Sequence, residues 1–207
     1  MVVHDVLSMM DDETKKASER ASGSFIPTFL RLGAGQKARI RPLFKLDQCV
    51  VLAMHSKFNQ SNPADSINAV CSTEVGGECP YCEAAKNGEK GLGATTVFML
   101  PVYVSVIEQR GEGDIWTPVT YKKDDKEIEV SGLRILELKA FGTVATIMQT
   151  VRGLHKEDEE HDIRRYGLII ERIGAGQQTK YAILPKGPSA MPEAAKNLIP
   201  TDRKSVV

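Results

Sequence analysis

The stretch FLRLGAGQKARIRPLF, residues 29–44, decides how the chain is read. From Gln36 onward basic and apolar residues alternate, which places Lys37, Arg39 and Arg41 on one face of an extended segment and Ala38 and Ile40 on the other. A period of two is the pattern of a half-buried strand, and Gly33 and Gly35 supply a turn before it. The tetrapeptide GAGQ returns at 174–177, between YGLIIERI and TKYAILP. A Gly-x-Gly pair can cradle phosphate, but that use needs a third small residue and a helix starting at the turn. Strand patterns follow both copies, so both are expected to be hairpin turns.

Working outward, CVVLAMH (49–55) reads as a buried strand. TTVFMLPVYVSVI (95–107), GEGD (111–114) and IWTPVTYKK (115–123) read as a long hairpin in which Pro101 and Pro118 mark edge positions or bulges. LRILELK (133–139) is a further strand. Away from the ends, only FGTVATIMQTVRGL (141–154) has helical spacing, through Val144, Ile147, Met148 and Val151. Short strands, glycine turns and one internal helix predict a mainly β fold, specifically an OB-like five-stranded barrel with a zinc-binding subdomain inserted at about 55–92. The barrel domain is expected over 25–187. It would lie between a polar N-terminal arm, 1–24, whose only apolar stripe is Val3, Val6, Leu7 and Met10, and a flexible Pro-, Ala- and Ser-rich tail, 188–207.

The 207 residues carry 27 Lys and Arg against 27 Asp and Glu, a net charge of +0, but the charges are segregated. Between Leu30 and Gln60 stand Arg31, Lys37, Arg39, Arg41, Lys45 and Lys57 against the single acid Asp47, while HKEDEEHD (155–162) gathers the opposite sign. A basic face on a neutral protein is compatible with a nucleic-acid partner. No apolar run approaches membrane-spanning length and the first residues lack a signal-peptide pattern, so a soluble protein of the cytoplasm is expected.

In a reducing compartment four cysteines point to metal or catalysis rather than disulfides. Cys79-Pro80-Tyr81-Cys82 is the active-site tetrapeptide of glutaredoxins. That chemistry needs a hydrophobic strand delivering the first thiol to the N-terminus of a substantial helix. Here the polar STEVGGE precedes Cys79, and EAAKNGEKG gives barely two helical turns after it. The metal reading asks for two further ligands nearby. His55 and Cys71 supply them, giving His55, Cys71, Cys79 and Cys82 with fifteen, seven and two intervening residues, a set able to close a tetrahedron around one structural Zn²⁺. A lone His or Cys is more often plain core, and Cys49, inside an apolar strand, is expected to be inert, though it could replace His55 as a ligand. A zinc deaminase would need His-x-Glu, whereas Ser56 and Lys57 follow His55; no catalytic constellation stands out, and no enzyme is expected.

The stretches GQKARIRPL, MHSKF, CSTEVGGECPYCEAAK, FMLPVYVSVI, LKAFGTVATIMQTV and IERIGAGQQTKYAILP, in this order over roughly residues 30–185, resemble the single-stranded DNA-binding proteins of bacteriophages, in particular those of T-even phages and smaller relatives. The resemblance implies an OB fold whose zinc subdomain stiffens one wall of a basic cleft, and a protein that coats and protects single-stranded DNA in replication, recombination or repair within the bacterial host cytoplasm. It also implies contacts between neighbouring copies through the N-terminal arm and with replication proteins. T-even relatives end in an acidic tail; this chain ends TDRKSVV. Sequence-independent binding needs a cationic groove and aromatic faces. The candidates are Arg39, Arg41, Lys57, Phe58, Phe98, Tyr103, Trp116, Tyr121, Lys122 and Lys139, of which Arg41, Phe98 and Lys139 lie where the family motif places groove residues. Alternation puts Phe98 and Tyr103 on opposite faces, and likewise Trp116 and Tyr121 unless a bulge at Pro118 shifts the register. Two other readings stand beside this one: a glutaredoxin-like thiol oxidoreductase using Cys79 and Cys82, and a structural zinc module for protein contacts.

Overall fold

The computed structural model describes residues 29–57, 66–123 and 126–199. The expected N-terminal arm lies outside these residues. In chain order the elements are β1 (Gln36–Pro42), β2 (Val50–Lys57), β3 (Ile67–Val70), α1 (Pro80–Lys86), β4 (Thr95–Arg110), β5 (Trp116–Pro118), β6 (Thr120–Lys123), β7 (Lys126–Glu129), β8 (Gly132–Leu138), α2 (Ala145–Glu157), β9 (Tyr166–Ile173), β10 (Lys180–Pro188) and α3 (Glu193–Lys196). Eight strands form one antiparallel sheet in the order β10-β9-β1-β4-β2-β3, with β5 and β8 also on β4, while β6 and β7 pair separately.

The sixteen residues of β4 organise the sheet. One edge pairs with β2 over 95–99 and then with β1 over 102–109; the other pairs with β8 over 98–104 and then with β5 over 108–110. Pro101 is therefore in a central strand. It sits in the gap between the β2 and β1 pairings, where its carbonyl accepts from the Leu43 amide at 3.0 Å. The irregularity in β4 lies further on: Arg39 pairs with Val106 but Ile40 with Val104, and the hydroxyl of the skipped Ser105 donates to the Arg39 carbonyl at 3.1 Å.

Alternation explains the core. Leu100, Val102 and Val104 of β4, Ala38 and Ile40 of β1, Leu136 and Leu138 of β8, and Leu168 and Ile170 of β9 turn to one side, where Ile147 and Val151 of α2 meet them. The curled sheet thus wraps one apolar interior and leaves Lys37, Arg39, Tyr103 and Glu108 on the opposite, outer face.

Several expectations change here. The fold is mainly β and antiparallel, but the sheet has eight strands and is not closed: β8 and β10 do not pair, and α2 contacts both. The first GAGQ is no hairpin turn. Leu30 and Leu32 enter the core, and Phe29 makes a parallel bridge to Ile135 of β8 instead of doubling back on β1. The second GAGQ does turn the β9–β10 hairpin; Gly174 has φ +74°, and a Cβ there would lie 2.8 Å from the Gln178 carbonyl oxygen. The first half of β2 is not buried, since Val50 and Val51 are 54% and 50% exposed. Beyond Pro188, Ala195 of α3 is fully buried and the Ser189 amide donates to the Arg165 carbonyl, so this part of the expected tail is docked. The acidic 155–162 segment is only partly solvated, because Asp158 and Asp162 are buried and cap local backbone amides.

Candidate metal centre and binding face

The four ligands come together as the spacing predicts. His55 lies in β2 opposite Ala69 of β3, and Cys71 follows β3 directly, its amide donating to the Ala53 carbonyl at 2.8 Å. The chain then turns through Ser72–Val75 and Gly76, whose φ of +80° suits glycine, and delivers Cys79 as the residue before α1. Pro80 starts α1, and Cys82 sits in its first turn. His55, Cys71 and Cys79 are buried, and the four ligand atoms lie within 4.8 Å of one another. Cys79 Sγ and Cys82 Sγ stand 3.2 and 3.6 Å from His55 Nε2, and Cys71 Sγ is 3.4 Å from Cys82 Sγ. His55 Nδ1 donates to the Leu92 carbonyl at 2.6 Å, which fixes the tautomer and turns the Nε2 lone pair toward the sulfurs.

The electrostatics fit a cation site. Burial works against the Cys79 thiolate, but the Cys82, Ser72 and Tyr81 amides and the Ser72 hydroxyl bring its pKa down to about 5. The Thr73 hydroxyl, at 2.9 Å, together with His55 lowers that of Cys71. Cys82 is pushed up to about 11, chiefly by Cys71, with burial and Cys79 adding. The Leu92 carbonyl, followed by Cys71, raises His55. Three sulfurs this close cannot all carry charge without a cation between them. The group can therefore hold a metal ion. Cys49 takes no part: it packs beside the core, near Phe98, Met148 and Val151, and burial with nearby Asp47 pushes its thiol up to about 11.

The nucleic-acid candidates separate by face. Tyr103, half-buried, lies across from Arg41 on β1 and from the 48%-exposed Leu133 on β8. A groove of about 200 Å³ is lined by Arg39, Arg41, Tyr103, Lys186 and Pro192. The Arg39 side chain is 54% exposed. Arg41 is 8% exposed; its guanidinium donates to the Arg164 carbonyl and to the Ser189 carbonyl and hydroxyl, all neutral acceptors. Trp116 reaches toward Lys37, whose Nζ lies 3.7 Å from the centre of the indole. Phe98 is on the other face, as its parity with Leu100 requires, and packs against the core beside Leu138 and Met148. Lys57 is paired with Glu89 at 2.7 Å at the end of β2. Lys139 is half-buried just after β8 and is not among the residues that line the groove. Phe58 lies outside the described residues, as do the side chains of Tyr121 and Lys122, whose strand β6 pairs, among the described residues, with β7 alone.

Sequence reasoning placed Lys37 on the face of Arg39 and Arg41 but did not carry it into the DNA-contact candidates, and it missed Lys186 altogether. Lys37 shares the alternation of Arg39 and could have been included on that signal alone. Lys186 reaches the groove through the pairing of β10 with β9. No protein-family model, curated protein or solved structure matches the chain.

Proposed function

We propose that the chain is a sequence-independent single-stranded DNA-binding protein of the bacteriophage type, acting without catalysis, in which an OB-like curled sheet presents the DNA face and one zinc ion holds the β2–β3–α1 subdomain. The observation that carries the reading is the outer sheet face, where Arg39, Lys186 and the neutral-partnered Arg41 line one groove with Tyr103, and Trp116 stands close by under Lys37. Cations track the phosphates there and aromatic rings take the bases; this combination binds single strands without reading sequence. The single interior wrapped by β1, β4, β8, β9 and β10 supports the OB-like description.

Zinc fits the ligand set. Zn–S bonds of about 2.3 Å and Zn–N bonds of about 2.0–2.1 Å give tetrahedral edges of about 3.5–3.8 Å. Three of the six separations, 3.2, 3.4 and 3.6 Å, are close to these, and all six are within 4.8 Å. Four protein ligands leave no open position, so the ion would be structural. The same geometry works against a thiol oxidoreductase, because Cys79 is 3% exposed and its sulfur faces His55 instead of solvent.

The test is a titration followed by the fluorescence of the chain's single tryptophan. Oligothymidylate should quench Trp116 and bind more tightly than a duplex of equal phosphate count, with affinity falling as salt rises. Equal affinity for both would refute the proposal and favour a zinc module for protein contacts.

A further inference from the structure

The proposed DNA face contains an anion of its own. Glu108 lies on β4 in register with Lys37 of β1, and its side chain is only 13% exposed. Its Oε2 stands 3.5 Å from Lys37 Nζ and 3.3 Å from Arg39 Nε, so one carboxylate oxygen engages two cations of the outer face. Lys37, held there, covers the Trp116 ring at 3.7 Å. Lys37 is only 16% exposed in this arrangement, whereas Arg39 remains 54% exposed.

From this geometry we infer that Glu108 is the residue that sets the specificity of the binding face, an internal stand-in for phosphate that any polyanion must displace. The inference rests on the single-stranded DNA reading of the same face. An incoming phosphate competes with Glu108 for Lys37 and Arg39, and when Lys37 leaves for the phosphate it uncovers the indole. A single strand gains from that exchange, because a base can stack where the ammonium stood. A duplex has its bases already stacked, so it bears the cost of displacing Glu108 and recovers nothing from Trp116. The carboxylate thereby weakens all polyanions but weakens base-free contact most.

The measurement uses the full chain and its Glu108→Gln variant, with oligothymidylate and a duplex of equal phosphate count as probes over a series of salt concentrations. Each phosphate contact to a single strand contributes about −0.7 to the slope of log affinity against log salt, so removing the one charge of Glu108 should steepen it by at most about 0.7. Affinity for both probes should rise, between about twofold and about thirtyfold, the range that two partly exposed ion pairs span. The duplex should gain more, so the preference for the single strand should shrink. Adding Lys37→Met to Glu108→Gln should return about 0.7 of the slope. Should Glu108→Gln fail to fold by circular dichroism, the shorter Glu108→Asp keeps the charge but withdraws it from both cations, and the same changes are read at smaller amplitude. A single-strand preference in the parent protein with slope and preference unchanged in the variant overturns this inference alone. Absence of any single-strand preference in the parent protein overturns it together with the proposed function.

Discussion

Removing the metal should unfold one part of this protein and spare the rest. None of His55, Cys71, Cys79, Cys82 and Leu92 belongs to the main core cluster, which is drawn chiefly from β1, β4, β8, β9 and α2 with Leu30, Leu32, Val130 and Ile163. Among the described residues in and beside the subdomain, Met54, Leu92 and Val97 are the buried aliphatic side chains, and at about 1.5–3 kcal/mol each they contribute about 5–9 kcal/mol. A structural zinc ion contributes about 10–16 kcal/mol at neutral pH, more than that apolar contribution. Without it the segment from Ser66 to Leu92 would have to be ordered by three side chains and a few hydrogen bonds, against an entropy cost of about 1–2 kcal/mol for each backbone residue. Hydrogen exchange followed by mass spectrometry, with and without a chelator, is the assay. Peptides over 66–92 should lose protection, while those from β1, β8 and β9 keep it; metal content should fall from one ion per chain to none. Cys79→Ala should weaken metal binding by more than about 100-fold, beyond the 10–100-fold typical of changes one shell further out. Unchanged protection over 66–92 after chelation would refute the reasoning, as would loss of the whole sheet in the same step.

Two further outcomes follow from the faces of β4 and from the end of α2. Tyr103→Ala should reduce oligothymidylate affinity by roughly five- to 150-fold, the value of one stacked base at about 1–3 kcal/mol, and leave the urea midpoint nearly unchanged; Phe98→Ala should do the reverse, lowering stability by about 3 kcal/mol with little effect on binding by folded molecules. Equal effects of the two variants on binding would show that the groove is not the DNA site. Asp158 accepts from the Tyr166 hydroxyl at 2.8 Å and from the Glu160 and Asp162 amides, and these bonds, the hydroxyl first, lower its pKa despite burial. A carboxylate whose folded pKa lies below its unfolded value of about 3.9 adds stability above that value and loses it as pH falls through the folded one. Urea midpoints taken between neutral pH and about pH 3 should therefore fall less steeply for Asp158→Asn than for the parent protein, from a lower neutral starting point; parallel curves would show that Asp158 is not linked to acid unfolding.

The four side chains that could hold a metal were legible in the sequence because ligand chemistry is local: a CxxC knuckle, a glycine turn and two donors within a short span can meet in few ways. Strand positions in 95–107, 133–139 and 166–185 were legible for a similar reason, since alternation reports which face of a strand is buried whatever its partners are. The same periodicity placed Phe98 and Tyr103 on opposite faces, although it did not say which face was the interior. What depended on pairing was not legible. Whether 29–35 folds back on β1 or crosses to β8 is decided by Leu30 and Leu32 finding the core, a contact with residues a hundred positions away. That Arg41 is clamped by Arg164 and Ser189 while Arg39 stays exposed follows from where the end of β10 returns, and alternation had treated the two alike. The capture of Lys37 and Arg39 by Glu108, and the cover of Lys37 over Trp116, exist only because β1 and β5 flank the same end of β4. The sequence by itself thus determined which residues form strands and which four side chains can hold a metal, because both depend on near neighbours along the chain. Only the tertiary structure decided which cations remain available to a ligand, because that depends on distant segments competing for the same charge.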